Sequence, residues 1–276
     1  MMRRGTMVIW GLLAGLGLMA QEAAPQFLPI QDNSFMVEEA YNQEDGVIQH
    51  IFTYSRYQKS QDWLATFTEE WPAPSQKHQL SFTVPYLRMA SSLDGRKAVG
   101  DVALNYRYQL LGDGGSVVAM SPRFSILLPT GDEKQLRGAG ATGYQVNLPL
   151  SVALGAHFVT HLNLGSTYTP GARNAAGDRA DLTAWNFGQS FIWLARSNFN
   201  AMLEFAGTLG EQVAGPAMKE RVNTLFVNPG FRWAINFKSG LQIVPGIAFP
   251  IGVGPSKGER AVFFYVSFEH PLWRAK

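Results

Sequence analysis

The chain has 276 residues, no cysteine and a formal net charge of +2. The lack of cysteine excludes a disulfide framework and thiol chemistry. Residues 1–20 contain Arg3 and Arg4 and no acid, so the remaining residues hold 21 basic and 21 acidic side chains. Because a neutral chain lacks a basic footprint, we expect no nucleic-acid partner.

The N-terminus has the pattern of an export signal. Arg3 and Arg4 precede an uncharged apolar run from Met7 to Met19, and Ala20 ends it. The run is shorter than the roughly 20 residues that a membrane-spanning helix needs. It therefore predicts a secretory signal peptide over 1–20, cleaved near Ala20. A membrane anchor is the alternative interpretation.

Most of the remaining chain alternates apolar and polar residues with a period of two. From Val102 to Leu110 every second side chain is Val, Leu or Tyr, and from Tyr144 to Leu154 every second one is Tyr, Val or Leu. Between them fall Asn, Gln, Arg, Ser, Ala and Pro. A period of two predicts strands with two different environments. Apolar faces repeated on many strands are typical of a barrel with lipid outside and water inside.

We predict an all-β fold, an antiparallel outer-membrane barrel of about 12 strands over 47–276. The predicted strands are 47–57, 61–71, 77–89, 98–111, 115–128, 142–154, 157–169, 182–195, 198–209, 221–237, 240–252 and 260–270. Short turns at 112–114, 155–156, 196–197 and 238–239 alternate with long loops at 90–97, 129–141, 170–181, 210–220 and 253–259. This alternation is typical of short periplasmic turns and long extracellular loops.

Aromatic residues near the strand ends predict the two girdles of such a barrel. Trp185 and Trp193 share a face and lie about 20 Å apart along the barrel axis. The predicted girdle residues are Trp63, Tyr108, Tyr168, Trp185, Trp193 and Trp233.

The polar faces carry charged residues and histidines that we predict to line the lumen. These candidates are Glu70, Asp101, Arg107, Arg123, His157, His161, Glu204, Arg232 and Glu269. They could select permeating solutes, or pair across a small lumen and hold it shut. Residues 21–46 form a further unit, which could plug the lumen or lie in the periplasm.

The sequence offers little enzyme chemistry. Gly138, Gly140 and Gly143 match a dinucleotide fingerprint, but they lie in a loop that opens no helix. His157 and His161 would be about 13 Å apart on a strand, too far to share one metal ion. We expect no catalytic residue, no metal and no cofactor.

Four segments carry a resemblance to a known family: 35–51, 100–111, 121–132 and 143–155. They are similar to the outer-membrane family named for the MetA pathway of phenol degradation, and the resemblance covers most of the mature chain. It implies a bacterial outer-membrane barrel with aromatic catabolism in its surroundings. The C-terminus departs from the usual pattern, because Phe268 and Trp273 both precede further residues and either could be the insertion signal.

The function that we expect is passive passage of small solutes, aromatic or apolar ones among them. A scaffold barrel with a closed lumen is the alternative, and a surface enzyme is the third choice. The expected partners are outer-membrane lipid, the barrel-insertion machinery and an unidentified small solute.

Overall fold

The computed structural model describes residues 30, 34–92 and 94–271; the predicted signal peptide lies outside these residues. The chain forms one closed antiparallel sheet, in which seventeen strand segments make twelve barrel strands. This confirms the predicted fold class. The described residues contain no α-helix, only two short 3₁₀ turns at Glu133–Gln135 and Gly254–Ser256.

Seven barrel strands are continuous and five consist of two segments. The continuous strands are β1 (Val47–Tyr57), β2 (Trp63–Pro72), β3 (His78–Arg88), β10 (Phe158–Arg173), β11 (Arg179–Arg196), β12 (Phe199–Gly215) and β17 (Ala261–Pro271). The two-part strands are β4–β5 (Ala98–Val99, Val102–Tyr108), β6–β7 (Val118–Met120, Arg123–Leu128), β8–β9 (Gly143–Asn147, Leu150–Ala153), β13–β14 (Met218–Trp233, Ile235–Asn236) and β15–β16 (Gln242–Ala248, Ile251–Gly252).

Closure of the barrel joins its first and last strands. Each barrel strand pairs with the next, and β1 pairs with β17 along its whole length, from Val47 opposite Pro271 to Tyr57 opposite Ala261. Closure leaves no unpaired sheet edge to satisfy.

Proline explains three of the five interruptions. Pro122 separates β6 from β7, Pro149 separates β8 from β9, and Pro250 separates β15 from β16. A proline cannot donate to the strand ladder, so regular pairing stops beside it.

The two faces of the sheet differ as the alternation predicts. In β8, Tyr144 and Val146 point outward and are 45% and 47% exposed, whereas Asn147 points inward and is buried. The outward face is apolar along the wall, and the inward face carries most of the buried polar side chains.

Connections at the two ends of the barrel overlap in length, although the longest, 129–142, is at the far end. The terminal end, where β1 begins and β17 stops, has the connections 73–77, 109–117, 154–157, 197–198 and 237–241. The far end has 58–62, 89–97, 129–142, 174–178, 216–217 and 253–260.

Two of the predicted long loops are wrong. Most of 170–181 and 210–220 is strand, because β10 and β11 are joined by residues 174–178 alone, and β12 and β13 by 216–217. Their polar composition suggested loops. The strand ladder nevertheless continues through pairs such as Gln212 with Glu220.

The predicted girdle residues lie on the outward face, in two sets. Trp63, Tyr168 and Trp185 lie in the halves of their strands that lead to the far end, and Tyr108, Trp193 and Trp233 lie near the terminal end. Among the described residues, no helix has the length and hydropathy needed to cross a membrane.

Candidate functional site in the barrel lumen

Residues 34–43, here called the luminal segment, cross the interior of the barrel. Val37 and Ala40 are buried, although neither belongs to the wall. The backbone of this segment hydrogen-bonds with inward-facing side chains from β3, β5, β9, β10 and β12.

Glu204 holds the first turn of the luminal segment. Its carboxylate is fully buried and accepts hydrogen bonds from the backbone N–H groups of Phe35, Met36 and Val37, at 2.9–3.3 Å. The side chain of Asn228 donates a further bond of 2.7 Å. Several N–H donors can stabilise a buried carboxylate, so this acid is committed to the segment.

Glu38 joins the segment to two arginines of the wall. The Arg123 Nε atom donates to Glu38 Oε2 at 2.9 Å, and Arg107 Nη2 lies 3.5 Å from the same oxygen. Arg107 also donates to the Tyr41 carbonyl oxygen at 2.9 Å. These two predicted lumen residues therefore hold the segment in place.

Neutral polar side chains hold the rest of the segment. Ser151 accepts from the Ala40 N–H at 2.8 Å, and Gln109 both accepts from the Asn42 N–H and donates to the Ala40 carbonyl. Asn163 makes a similar two-way contact with the backbone of Glu38.

Two glycines make room for the Phe35 side chain of the segment. A Cβ atom added at Gly230 or Gly246 would lie 2.6–2.7 Å from the Phe35 ring. The same ring contacts Phe263 and Tyr265, with centroids 5.4 and 5.8 Å away. The wall is thus shaped to receive Phe35.

The remaining lumen candidates differ in their surroundings. Glu70 accepts from Gln79, and Glu269 accepts from Gln49, so both carboxylates bond within the wall. Arg232 is 2% exposed, and in the described part of the chain its Nε and Nη1 atoms donate no hydrogen bond.

Two of the predicted lumen residues are placed elsewhere. His157 lies exposed in the turn before β10, because the strand begins one residue later than predicted. Asp101 lies between β4 and β5, where it accepts from the N–H groups of Gly131 and Ala139. It fixes the 129–142 loop at the far end.

A Ser–His pair occurs in the lumen, but its environment does not suit nucleophilic catalysis. Ser151 Oγ lies 2.7 Å from His161 Nδ1, and both side chains are buried. The charged group acting on His161 is the Arg232 cation, whereas a catalytic histidine is usually oriented by a carboxylate. Ser151 is also covered by Ala40, whose N–H it accepts.

The space between the luminal segment and the far end remains open. One cavity of about 290 Å³ is lined by Met36 and β11–β13, and another of about 660 Å³ lies under the 58–62 and 253–260 connections. Tyr57 and Phe226 line both, with ring centroids 6.1 Å apart. The larger cavity has an apolar wall that includes Leu64 and Leu87.

Loops at the far end are tied together by an ion pair. Arg137 donates to both carboxylate oxygens of Asp94, at 3.0 and 2.9 Å, and so joins 129–142 to 89–97. These hydrogen bonds hold the pKa of Asp94 down, at about 2. The carboxylate therefore stays charged well below neutral pH, and the contact is lost only as the pH falls through about 2.

The uncharged partners of the luminal segment were not predicted. The amides and hydroxyls that bind it, such as Gln79, Gln109, Ser151 and Asn163, are uncharged and were not among the candidates. The only sequence signal for them was the polar inward face itself, on which many buried side chains are amides.

Comparison with solved structures reveals a shared fold. An outer-membrane channel from Pseudomonas putida F1 superimposes with a TM-score of 0.62 at 13% sequence identity, over 83% of this chain and 97% of that chain. The NanC porin gives 0.55 at 10% identity, over 79% and 98%. The fold is that of an outer-membrane β-barrel. No protein-family model matches the chain, and no curated protein sequence matches it.

Proposed function

We propose that the protein is an outer-membrane channel for passive passage of small solutes and that its luminal segment closes it. One observation carries this proposal: the obstruction is a chain segment, which hydrogen bonds and ion pairs attach to the wall. The barrel is not closed by wall side chains that fill it. Such a segment can leave without unfolding the barrel. The apolar outward face would contact lipid, and the polar inward face would contact water.

The far-end cavities support a preference for small apolar solutes. A volume of about 660 Å³ lies within the range of small-molecule sites. Tyr57, Phe226, Leu64 and Leu87 supply apolar surface, and Ser60 and Ser256 supply hydroxyl groups. We propose aromatic or apolar solutes as the class that enters here, consistent with the family resemblance.

Planar-bilayer conductance tests the channel. We expect the full chain to open rarely, and a variant lacking residues 21–46 to conduct continuously. Both proteins must show the same β-sheet circular dichroism, which controls for folding. A correctly folded variant that passes no current would contradict the channel and favour a scaffold barrel, the alternative supported by the many contacts that fill the lumen.

The proposed location in the outer membrane also predicts which end of the barrel faces the cell exterior. Export by the predicted signal peptide would leave the terminal end in the periplasm and the far end outside. A single introduced cysteine has no second cysteine in the chain with which to form a disulfide, because the chain contains no cysteine of its own. A membrane-impermeant maleimide added to intact cells should label Ala176→Cys and spare Ser197→Cys, both exposed sites in connections at opposite ends. Labelling of Ser197→Cys but not of Ala176→Cys would show that the barrel has the opposite orientation.

A further inference from the structure

Two histidines and a glutamate form a polar cluster on the outward face, at the seam where the barrel closes. His50 lies in β1, His270 in β17 and Glu69 in β2. The seam is otherwise aromatic here, since Phe67 stacks on the His50 ring and Phe268 lies directly opposite His50 in the strand pairing. Polar groups at such a position call for a function other than contact with lipid.

The two imidazoles face each other through their Nε2 atoms. The Nε2 atoms of His50 and His270 are 3.2 Å apart. Two zinc–nitrogen bonds of about 2.0 Å at a tetrahedral angle hold their nitrogen atoms roughly 3.3 Å apart. The pair therefore has the spacing of two ligands of one ion, and small rotations of the rings would aim both lone pairs at a shared point.

Glu69 favours the tautomer that a metal needs. Its Oε2 atom lies 3.3 Å from His50 Nδ1. A proton on Nδ1 can then be donated to the carboxylate, which leaves Nε2 bare. A carboxylate behind a ligating histidine is the usual arrangement at zinc sites, where it orients the ring and raises its basicity.

The site is partly uncovered on the outward face, near the aqueous edge at the terminal end. The side chains of His50 and Glu69 are 28% and 29% exposed, and both lie a few residues from the terminal end. Among the described residues no group of three or more His, Cys, Asp or Glu side chains is placed to hold an ion. Water would therefore supply the remaining ligands.

We propose that His50 and His270 bind a divalent ion of the zinc class, with Glu69 as a positioning residue. Imidazole nitrogen suits zinc, copper and nickel, and not magnesium or calcium. The ion would link the first and last strands, whose pairing closes the barrel. This site is independent of solute passage and would exist in a conducting or a sealed barrel.

Titration of the folded, tag-free full chain with zinc chloride tests the proposal. We expect one zinc ion per chain, a rise in the thermal unfolding temperature with zinc, and no response to magnesium. X-ray absorption at the zinc edge should show two nitrogen ligands at about 2.0 Å. His50→Ala and His270→Ala should each abolish the saturable binding, and Glu69→Gln should weaken it by roughly 10–100-fold.

His78→Ala is the matched control, because His78 also points outward but bonds to Tyr106 and has no histidine partner. It should bind zinc as the unmodified chain does. If either His50→Ala or His270→Ala does not fold, His270→Gln takes its place and should likewise abolish the saturable binding. Absence of saturable zinc binding, or binding that survives the loss of both histidines, would overturn the proposal and leave a simple hydrogen bond between the rings.

Discussion

The double variant Ser34→Cys/Ser190→Cys is expected to hold the channel shut until it is reduced. The Oγ atoms of Ser34 and Ser190 are 3.0 Å apart, one on the luminal segment and one on β11, and both side chains are buried. Cysteines there can form a disulfide with little movement of the backbone. The bond would fasten the segment to the wall covalently.

The effect of the disulfide on channel opening is largest in a variant whose luminal segment is held less tightly. Glu38→Gln removes the ion pairs with Arg123 and Arg107, whose side chains are 14% and 4% exposed, against 29% for Glu38. Breaking a buried pair from one side costs about 3 kcal/mol, which corresponds to roughly a hundredfold shift toward the released segment. We expect Glu38→Gln to raise the open probability by about that factor. The oxidised Ser34→Cys/Ser190→Cys pair should cancel the increase, and a reducing agent should restore it.

A second disulfide within the wall is the matched control. The Oγ1 atoms of Thr68 and Thr83 are 2.9 Å apart and join β2 to β3. Oxidised Thr68→Cys/Thr83→Cys in the same Glu38→Gln background should leave the conductance unchanged. Equal suppression by both disulfides, or none by either, would show that release of the luminal segment does not open the channel.

The fold was predictable because alternate residues of a barrel strand face different environments, and their side chains are apolar or polar accordingly. Each inward Asn or Gln and each outward Leu or Tyr repeats the same information, as β8 shows with Gln145 and Asn147 against Tyr144 and Val146. Strand ends carried less information. The extensions of β10 to β13 beyond the predicted boundaries consist mostly of Gly, Ala and charged residues, so their composition resembles that of a loop.

The lumen was predictable only in part, because alternation gives the direction of a side chain and not its partner. Arg107, Arg123 and Glu204 were expected to point inward, but the sequence could not show that they bind residues 35–41, which lie 66–169 positions away. Such pairing depends on the three-dimensional path of a segment without periodicity. The sequence left that path open between a plug and a periplasmic tail.

Leu164→Arg is expected to destabilise the barrel by about 2–4 kcal/mol, because it would place a charge against hydrocarbon. Leu164 points outward, is 54% exposed in the isolated chain, and is the seventh residue of β10. With about 3.3 Å per residue and a tilt near 40°, it lies roughly 15 Å from the terminal end, close to the middle of an apolar band about 25 Å tall.

Thr208→Arg gives the matched comparison. Thr208 points inward from β12 and lines the cavity between the luminal segment and the far end, where water can solvate a cation. We expect this variant to lose less than about 1 kcal/mol. Reversible denaturant unfolding from lipid bilayers measures both losses. Similar losses would contradict the assignment of the outward face to lipid and the inward face to water, because the two substitutions introduce the same side chain on opposite faces of the wall.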